Sequence, residues 1–154
     1  IAALTGMAQN IGVPVTYVKP HGALYNDMMV NGHIRSAVME AIASSHLPLA
    51  FMLQATVDAD THREEAKAFG LEVLFEAFAD RCYDDSGALL SRSKKGAVHS
   101  REKILAQVKQ LKDDGTVTTV SGHVLALQVD SLCVHGDNMA GVNAIKEIRQ
   151  LINT

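Results

Sequence analysis

The sequence lacks several features that would place it in a specialised class of protein. It contains no tryptophan, only two cysteines, and no apolar run near the ~20 residues that a transmembrane helix requires. It has no basic block interleaved with aromatic residues, and its net charge is −3, so no nucleic-acid partner is indicated. The two cysteines, Cys82 and Cys133, lie far apart without metal-type spacing, which predicts a reduced, cytoplasmic protein. These absences favour an ordinary globular protein with no membrane partner.

Short catalytic signatures are also missing. The motifs GxxxxGK[ST], HExxH, HxH and CxxC do not occur, so spacing alone indicates neither a Walker-type nucleotide site nor a metal site. The sequence therefore does not identify a bound metal. Binding of a divalent ion stays an open alternative, because the fold can bring His21 and His135 together. The chain also begins at Ile1 within a helical pattern, and we expect it to be the C-terminal part of a longer protein.

Hydrophobic periodicity predicts helices that alternate with strands. Strands are predicted at 13–18, 49–53, 72–76, 117–129 and 131–134. Helices are predicted at 1–11, about 33–45, 61–70, 101–113 and 142–152, and a long polar loop is predicted at 79–99. This order predicts an α/β fold of parallel strands joined by crossover helices, in a single domain over residues 1–154. A closed barrel typically needs ~250 residues, so we expect a small open sheet or part of a barrel.

Polar clusters follow three of the predicted strands. They comprise Lys19, His21, Tyr25 and Asn26; Glu76, Asp80, Arg81, Tyr83 and Arg92; and His135 and Asp137. Because the carboxyl ends of parallel strands lie at one edge of a sheet, we expect the clusters to share one face. Histidine moves protons near neutral pH, a carboxylate orients it or activates water, and a cation stabilises an oxyanion. This combination favours amide-bond chemistry.

Structural roles for the same residues stay open. A histidine after a strand is often only a hydrogen-bonding group, and Asp137 can simply cap the last helix. Asp80 and Arg81 can form a surface ion pair. We expect four of the remaining histidines to lie on the surface, namely His33, His46, His62 and His99. The position of His123, in the β-like stretch, stays ambiguous.

Three segments of the chain resemble the LamB/YcsF family. They are VKPHGALYN at 18–26, FADRCYDDSGALLSRSKKGA at 78–97 and CVHGDN at 133–138, and their order and separations also fit. The resemblance implies a partial (β/α) barrel of the glycoside hydrolase and polysaccharide deacetylase type. The acidic and histidine-bearing strand ends that open the family pattern do not occur here, so the N-terminal strands of that barrel are expected to be missing.

The resemblance also implies a function. It implies a subunit of an ATP-dependent 5-oxoprolinase, which converts 5-oxo-L-proline (pyroglutamate) to L-glutamate and works with two partner subunits, B and C. The candidate catalytic residues are Lys19, His21, Asp80 and Asp137. The candidate substrate-binding residues are Tyr25, Asn26, Arg81, Tyr83, Arg92 and His135. Within this hypothesis His21 acts as general acid or base and Lys19 stabilises developing negative charge, while an aspartate positions water.

Two other functional hypotheses stay open beside this one. A metal-dependent amidase or deacetylase can use the same scaffold and needs a divalent ion instead of ATP. A module that only binds a small carboxylate, or serves as a scaffold for partner subunits, needs no complete catalytic set. The sequence also leaves open whether the protein forms a homo-oligomer.

Overall fold

The computed structural model describes residues 1–153, which divide into two units. The first unit contains residues 1–54 and 58–75, and the second contains residues 55–57 and the chain from residue 76 onward. Both units pair parallel strands and alternate them with helices. The predicted α/β class is therefore confirmed. None of the helices formed by residues 1–153 has both the length and the apolar character needed to cross a bilayer.

The first unit is built from four helices and two complete strands. The helices are α1 (Ala2–Asn10), α2 (Ala23–Val30), α3 (Gly32–Ala43) and α4 (Ala59–Lys67). The strands are β1 (Tyr17–Val18) and β2 (Ala50–Gln54), and β3 (Val73–Phe78) begins here. β1 and β2 run parallel, with Tyr17 opposite Ala50 and Val18 opposite Phe51. β2 is the continuous apolar run expected of a buried parallel strand.

Local chemistry explains where this unit departs from the predicted elements. The strand predicted at 13–18 shrinks to two residues, because Val13 is exposed and Pro14 has no amide proton for a ladder. The helix predicted to start at Thr61 begins two residues earlier, at Ala59. His62, expected on the surface, is buried, since it shares the inward face of α4 with Ala59 and Ala66. Burial lowers its pKa.

A buried arginine connects three helices of the first unit. Arg35 of α3 donates from Nε and Nη2 to the carboxylate of Glu65 in α4, at 2.6 and 2.8 Å. Its Nη1 donates to the carbonyl oxygen of Met28 in α2, at 2.7 Å. A two-pronged contact of this kind fixes geometry as well as charge. The hydrogen bond from Arg35 holds the pKa of Glu65 below its ordinary value of 4.5.

This ion pair predicts acid sensitivity of the first unit. A carboxyl whose pKa is lowered by folding contributes stability above its unfolded pKa, and the contribution is lost as pH falls through the folded pKa. We therefore expect the free energy of unfolding to decrease as pH falls below 4.5, the ordinary pKa of glutamate. Glu65→Gln should lower stability at pH 7 and remove this part of the pH dependence. Urea titrations at several pH values measure it, and unchanged pH dependence in the variant would contradict the assignment.

The second unit contains the end of β3, two long helices and three short strands. The helices are α5 (Arg101–Asp114) and α6 (Met139–Asn153). The strands are β4 (Thr116–Thr118), β5 (Val124–Ala126) and β6 (Ser131–Cys133). β3 and β6 run parallel, with Phe78 opposite Cys133. The stretch predicted as β-like at 117–129 is an antiparallel hairpin of β4 and β5. The chain reverses at Gly122, whose φ of 86° lies in the left-handed region that glycine adopts readily.

A glycine, Gly141, lets α6 pack closely in the core of the second unit. The buried residues Ile104 and Val108 of α5 cluster with Ala144 and Ile148 of α6. A Cβ atom added at Gly141 would lie 2.8 Å from Cγ1 of Val134. Valine is stiff at χ1 and cannot easily rotate away. Gly141 therefore sets how near α6 lies to the end of β6.

Gly141→Ala is expected to destabilise the protein despite the higher helix propensity of alanine. Overpacking of a close contact typically costs about 1–3 kcal/mol, which exceeds the ~1 kcal/mol that alanine contributes in a helix. Gly6→Ala is the matched control, because Gly6 is also helical and, apart from its chain neighbours and the backbone of its own helix, no atom of residues 1–153 lies within 4 Å of its added Cβ. Chemical denaturation should show opposite signs for the two variants. Equal stabilisation by both would refute the packing argument.

Candidate active site

A carboxylate and a histidine meet at the carboxyl ends of β3 and β6. Asp80 follows β3 and its side chain is 1% exposed, while His135 follows β6. The parallel register brings these two positions together, since the amide of Ala79 donates to the carbonyl oxygen of Cys133 at 2.9 Å. Asp80 Oδ1 lies 2.9 Å from His135 Nδ1. Asp80 Oδ2 accepts from the backbone amide of His135 at 3.2 Å. The carboxylate thus fixes both the ring and the backbone of His135.

The histidine ring is held in one orientation with one nitrogen left for chemistry. It stacks on Phe78, with ring centroids 5.5 Å apart and planes 19° from parallel. A carboxylate can only accept hydrogen bonds, so Nδ1 carries the proton that faces Asp80. In the neutral ring Nε2 is then the nitrogen that can accept a proton, and the side chain is 27% exposed. This is the geometry in which a carboxylate orients a general base.

Asn138 also contacts Asp80, and it precedes and caps the start of α6. Its Nδ2 lies 3.4 Å from Asp80 Oδ2 and 3.5 Å from the carbonyl oxygen of His99. Its Oδ1 accepts from the amide of Ala140 at 3.2 Å, which satisfies a free donor at the start of the helix. The capping role considered for Asp137 therefore belongs to Asn138. Sequence reasoning missed this residue, although it is the last letter of the CVHGDN segment.

Asp137 and Arg92 contact each other on the surface. Arg92 Nη1 donates to Asp137 Oδ2, which joins the long loop to the segment after β6. This hydrogen bond lowers the pKa of Asp137 and raises that of Arg92. Both side chains are largely exposed. Two residues predicted for different roles, catalysis and substrate binding, are thus brought together as an ion pair.

Arg81 holds the 79–99 loop together internally, and Tyr83 ties the loop to β3. Arg81 Nη2 donates to the carbonyl oxygen of Leu90 at 2.7 Å, and its Nε donates to that of Ala97 at 3.2 Å. The hydroxyl of Tyr83 accepts from the amide of Phe78 at 2.8 Å. Burial lowers the pKa of Arg81 and raises that of Tyr83. The surface ion pair considered for Arg81 with Asp80 is wrong, because both side chains are buried and bind other groups.

His99 and Gln107 form a buried polar pair beneath the loop. His99, expected on the surface, is 9% exposed, because its amide donates to the carbonyl oxygen of Asp80 at 3.0 Å and draws the loop end inward. Its Nε2 lies 3.2 Å from Gln107 Oε1. Burial lowers the pKa of His99. Sequence reasoning also missed Gln107, whose only signal is its place on the inward face of α5.

The first predicted cluster belongs to the first unit, on the connection between β1 and α2. The ammonium of Lys19 lies 5.6 Å from the centre of the Tyr25 ring, within range of a cation–π contact. Tyr25 is buried, whereas His21 and Asn26 are exposed. His123, left ambiguous by the sequence, lies in the other unit, where its Nδ1 is 3.5 Å from the exposed Asp85. In the first cluster, the exposed side chain of His21 is accessible to a ligand.

A metal centre requires several ligating side chains close together. No group of three or more histidine, cysteine, aspartate or glutamate side chains within residues 1–153 is arranged to hold a metal ion. Asp80 and His135 alone provide two ligands, fewer than a protein metal site normally uses. The described residues by themselves do not form a metal centre.

Comparisons with known proteins agree on one family. The sequence model that describes the LamB/YcsF family matches residues 1–154. The chain is 44% identical to the 5-oxoprolinase A subunit of Pseudomonas fluorescens (strain Pf0-1) over 154 residues, which is 99% of this chain and 62% of that protein. It is 41% identical to the 5-oxoprolinase A subunit of Vibrio campbellii (strain ATCC BAA-1116) over 155 residues, 100% of this chain and 61% of that protein.

A solved structure shares the fold. The lactam utilization protein from Thermus thermophilus superposes with a TM-score of 0.84 and 28% sequence identity, over 99% of this chain and 61% of that one. The predicted fold class is confirmed by this match. The chain spans about three fifths of the length of these relatives, between 61% and 62%.

Proposed function

The chain belongs to the LamB/YcsF family, and from this membership we propose that the protein containing it acts as the A subunit of a 5-oxoprolinase. The proposed reaction is hydrolysis of the cyclic amide of 5-oxo-L-proline to L-glutamate. Relatives that carry the name of the 5-oxoprolinase A subunit support the assignment. The observation that carries it is the contact of 2.9 Å between Asp80 and His135. Amide hydrolysis needs a base for water and an acid for the leaving nitrogen, and an oriented histidine can serve as both.

The proposed chemistry assigns the proton transfers to His135. Its Nε2 takes a proton from water as the water oxygen forms a bond to the lactam carbonyl carbon. The carbon–nitrogen bond of the ring then breaks, and the imidazolium returns the proton to the departing nitrogen. The product carries the water oxygen in its new carboxylate and a free amine. Asp80 stabilises the imidazolium that exists between the two transfers.

ATP is proposed as a co-substrate, because an unactivated lactam is a poor electrophile. Transfer of the terminal phosphoryl group of ATP to the lactam oxygen would release ADP and make the carbon easier to attack. Ring opening by water would then leave an acyl phosphate, which a second water would hydrolyse to the carboxylate and inorganic phosphate. The sequence has no Walker-type loop, so the nucleotide site is either of another type or supplied by subunits B and C. The word "subunit" in the names of the relatives supports an enzyme built from several chains. The cytoplasmic location stays a prediction.

His21 is proposed as a second proton-transfer group. His21→Ala in the full-length protein, assembled with subunits B and C, is expected to lower turnover at least ~10²-fold, the usual contribution of a general acid or base. His33→Ala is the control, since His33 is also an exposed histidine of the first unit. Glutamate formation from 5-oxoproline and ATP is the measurement. Near-normal activity of a folded His21 variant would remove this residue from the mechanism.

The two alternative hypotheses are less well supported. A metal-dependent amidase requires a ligand cluster, and residues 1–153 do not form one. A non-catalytic module is difficult to reconcile with relatives named as subunits of an enzyme. Absence of 5-oxoproline turnover by the full-length protein with both partner subunits and ATP would overturn the proposed function.

A further inference from the structure

A cleft in the second unit is lined by cationic and polar groups. It has a volume of about 450 Å³, and its lining comes from the end of the 79–99 loop, from α5 and from the β4–β5 hairpin with its turn. Lys95 of the loop and Lys103 of α5 line it, while no aspartate or glutamate occurs among the described lining residues. Ammonium groups in a concave surface without carboxylates raise the local concentration of anions.

His99 lines the same cleft and has an unsatisfied ring nitrogen. Its Nδ1 is buried and finds no hydrogen-bond partner within residues 1–153. The other nitrogen, Nε2, faces Gln107 Oε1. The amide of Gln107 can face only one way, because its Nε2 donates to the carbonyl oxygens of Phe78 and Arg81 at 2.7 and 2.9 Å. His99 Nε2 therefore carries the proton, and Nδ1 presents a lone pair that can accept a hydrogen bond.

We propose that this cleft binds a phosphate group, with Lys95 and Lys103 neutralising its charge and a phosphate hydroxyl donating to His99 Nδ1. Lys103 and His99 line the same cleft, which places a cationic group and the unsatisfied acceptor in one concave surface. Burial keeps the pKa of His99 below its ordinary value of 6.5, so the ring is neutral at pH 7. A buried acceptor of this kind needs a donor, and an unmade hydrogen bond there is costly.

The histidine distinguishes phosphate from other oxyanions. A phosphate group has a second pKa of about 6, so part of its population still carries a hydroxyl proton near neutral pH. Sulfate and carboxylate groups carry no proton at that pH and would place an acceptor against the Nδ1 lone pair. Charge alone attracts all of these anions, whereas the buried acceptor selects the one that is also a donor.

The cleft is connected to the candidate active site through the backbone of His99. The amide of His99 donates to the carbonyl oxygen of Asp80 at 3.0 Å, and its carbonyl oxygen accepts from Asn138 at 3.5 Å. The phosphate can come from free inorganic phosphate or from the terminal phosphate of a nucleotide. The proposal does not rest on the proposed reaction, because binding is measured without 5-oxoproline.

The test is calorimetric titration of the full-length protein at pH 7.0 and constant ionic strength. Inorganic phosphate is expected to bind about tenfold more tightly than sulfate, the effect of one hydrogen bond to a buried group. Lys103→Gln should weaken phosphate binding by about tenfold, as loss of a close charge does. Lys146→Gln changes the net charge equally on an exposed position of α6 outside the cleft and should have no effect.

A second variant separates selectivity from charge. His99→Leu removes the Nδ1 acceptor without changing a lysine charge, so a variant with a native thermal midpoint should bind phosphate no better than sulfate. ATP is titrated in parallel: displacement of phosphate by ATP identifies a nucleotide as the source, and its failure identifies free phosphate, and both results support the site. Absence of phosphate binding, equal affinity for phosphate and sulfate in the native protein, or indifference to Lys103→Gln would each overturn the proposal.

Discussion

For the proposed 5-oxoprolinase activity, Asp80→Asn is expected to lower turnover of 5-oxoproline by roughly 10³- to 10⁴-fold while the fold persists, as loss of the orienting carboxylate does in other enzymes. Asp80 Oδ2 receives hydrogen bonds from the amide of His135 and from Asn138, so the oxygen of the new amide will stay on that side. Its NH₂ group then faces His135 Nδ1 and must donate to it. The histidine is forced into the tautomer with its proton on Nε2, where the base is needed.

The measurement is glutamate formation by the full-length protein assembled with the proposed subunits B and C, together with the thermal midpoint of each variant. Asp114→Asn is the matched control, because Asp114 is an exposed aspartate at the end of α5. It should leave both quantities unchanged. Retention of more than about a tenth of native activity by Asp80→Asn would show that the tautomer of His135 does not limit the reaction. Unfolding of the variant would shift the test to His135→Gln, which removes the base itself.

Sequence reasoning placed Asp80 and His135 together because both follow strands that were predicted to be parallel. A continuous apolar run such as β2 indicates a buried parallel strand, and polar residues directly after such strands gather at one edge of the sheet. That rule placed Asp80 and His135 in the same candidate set. The register of Phe78 opposite Cys133 is what turns the expectation into a contact of 2.9 Å. The sequence did not indicate which histidine would meet which carboxylate.

The residues that escaped sequence reasoning are polar groups whose partners are backbone atoms. Arg81 and Tyr83 looked like ligands for a substrate, yet their polar atoms bind the loop and β3. A sequence shows charge and spacing but not which carbonyl groups a loop leaves unpaired. His99 was assigned to the surface for the same reason, since its burial depends on the inward turn of the loop end. Gln107 is the clearest example and carries the largest expected effect on stability.

Gln107→Leu is expected to reduce the free energy of unfolding by about 3 kcal/mol or more, because each buried polar group left unpaired costs ~1–3 kcal/mol. Gln107 Nε2 donates to the carbonyl oxygens of Phe78 and Arg81, with that of Ala79 at a longer 3.4 Å. Its Oε1 also accepts from His99. Leucine has a similar volume and fills the space, so the loss reports the hydrogen bonds rather than a cavity. Urea denaturation of the full-length protein gives the value.

Two further variants decide what Gln107 contributes. Gln150→Leu is the control, since Gln150 is an exposed residue of α6 and its replacement should change stability by no more than ~0.5 kcal/mol. Gln107→Glu keeps an acceptor for His99 but cannot donate to the carbonyl oxygens when ionised, so it should destabilise as well. If Gln107→Glu were as stable as the native protein, the carbonyl contacts would not be what holds the turn after β3. The turn that carries Asp80 would then owe its position to Arg81 and Tyr83 instead.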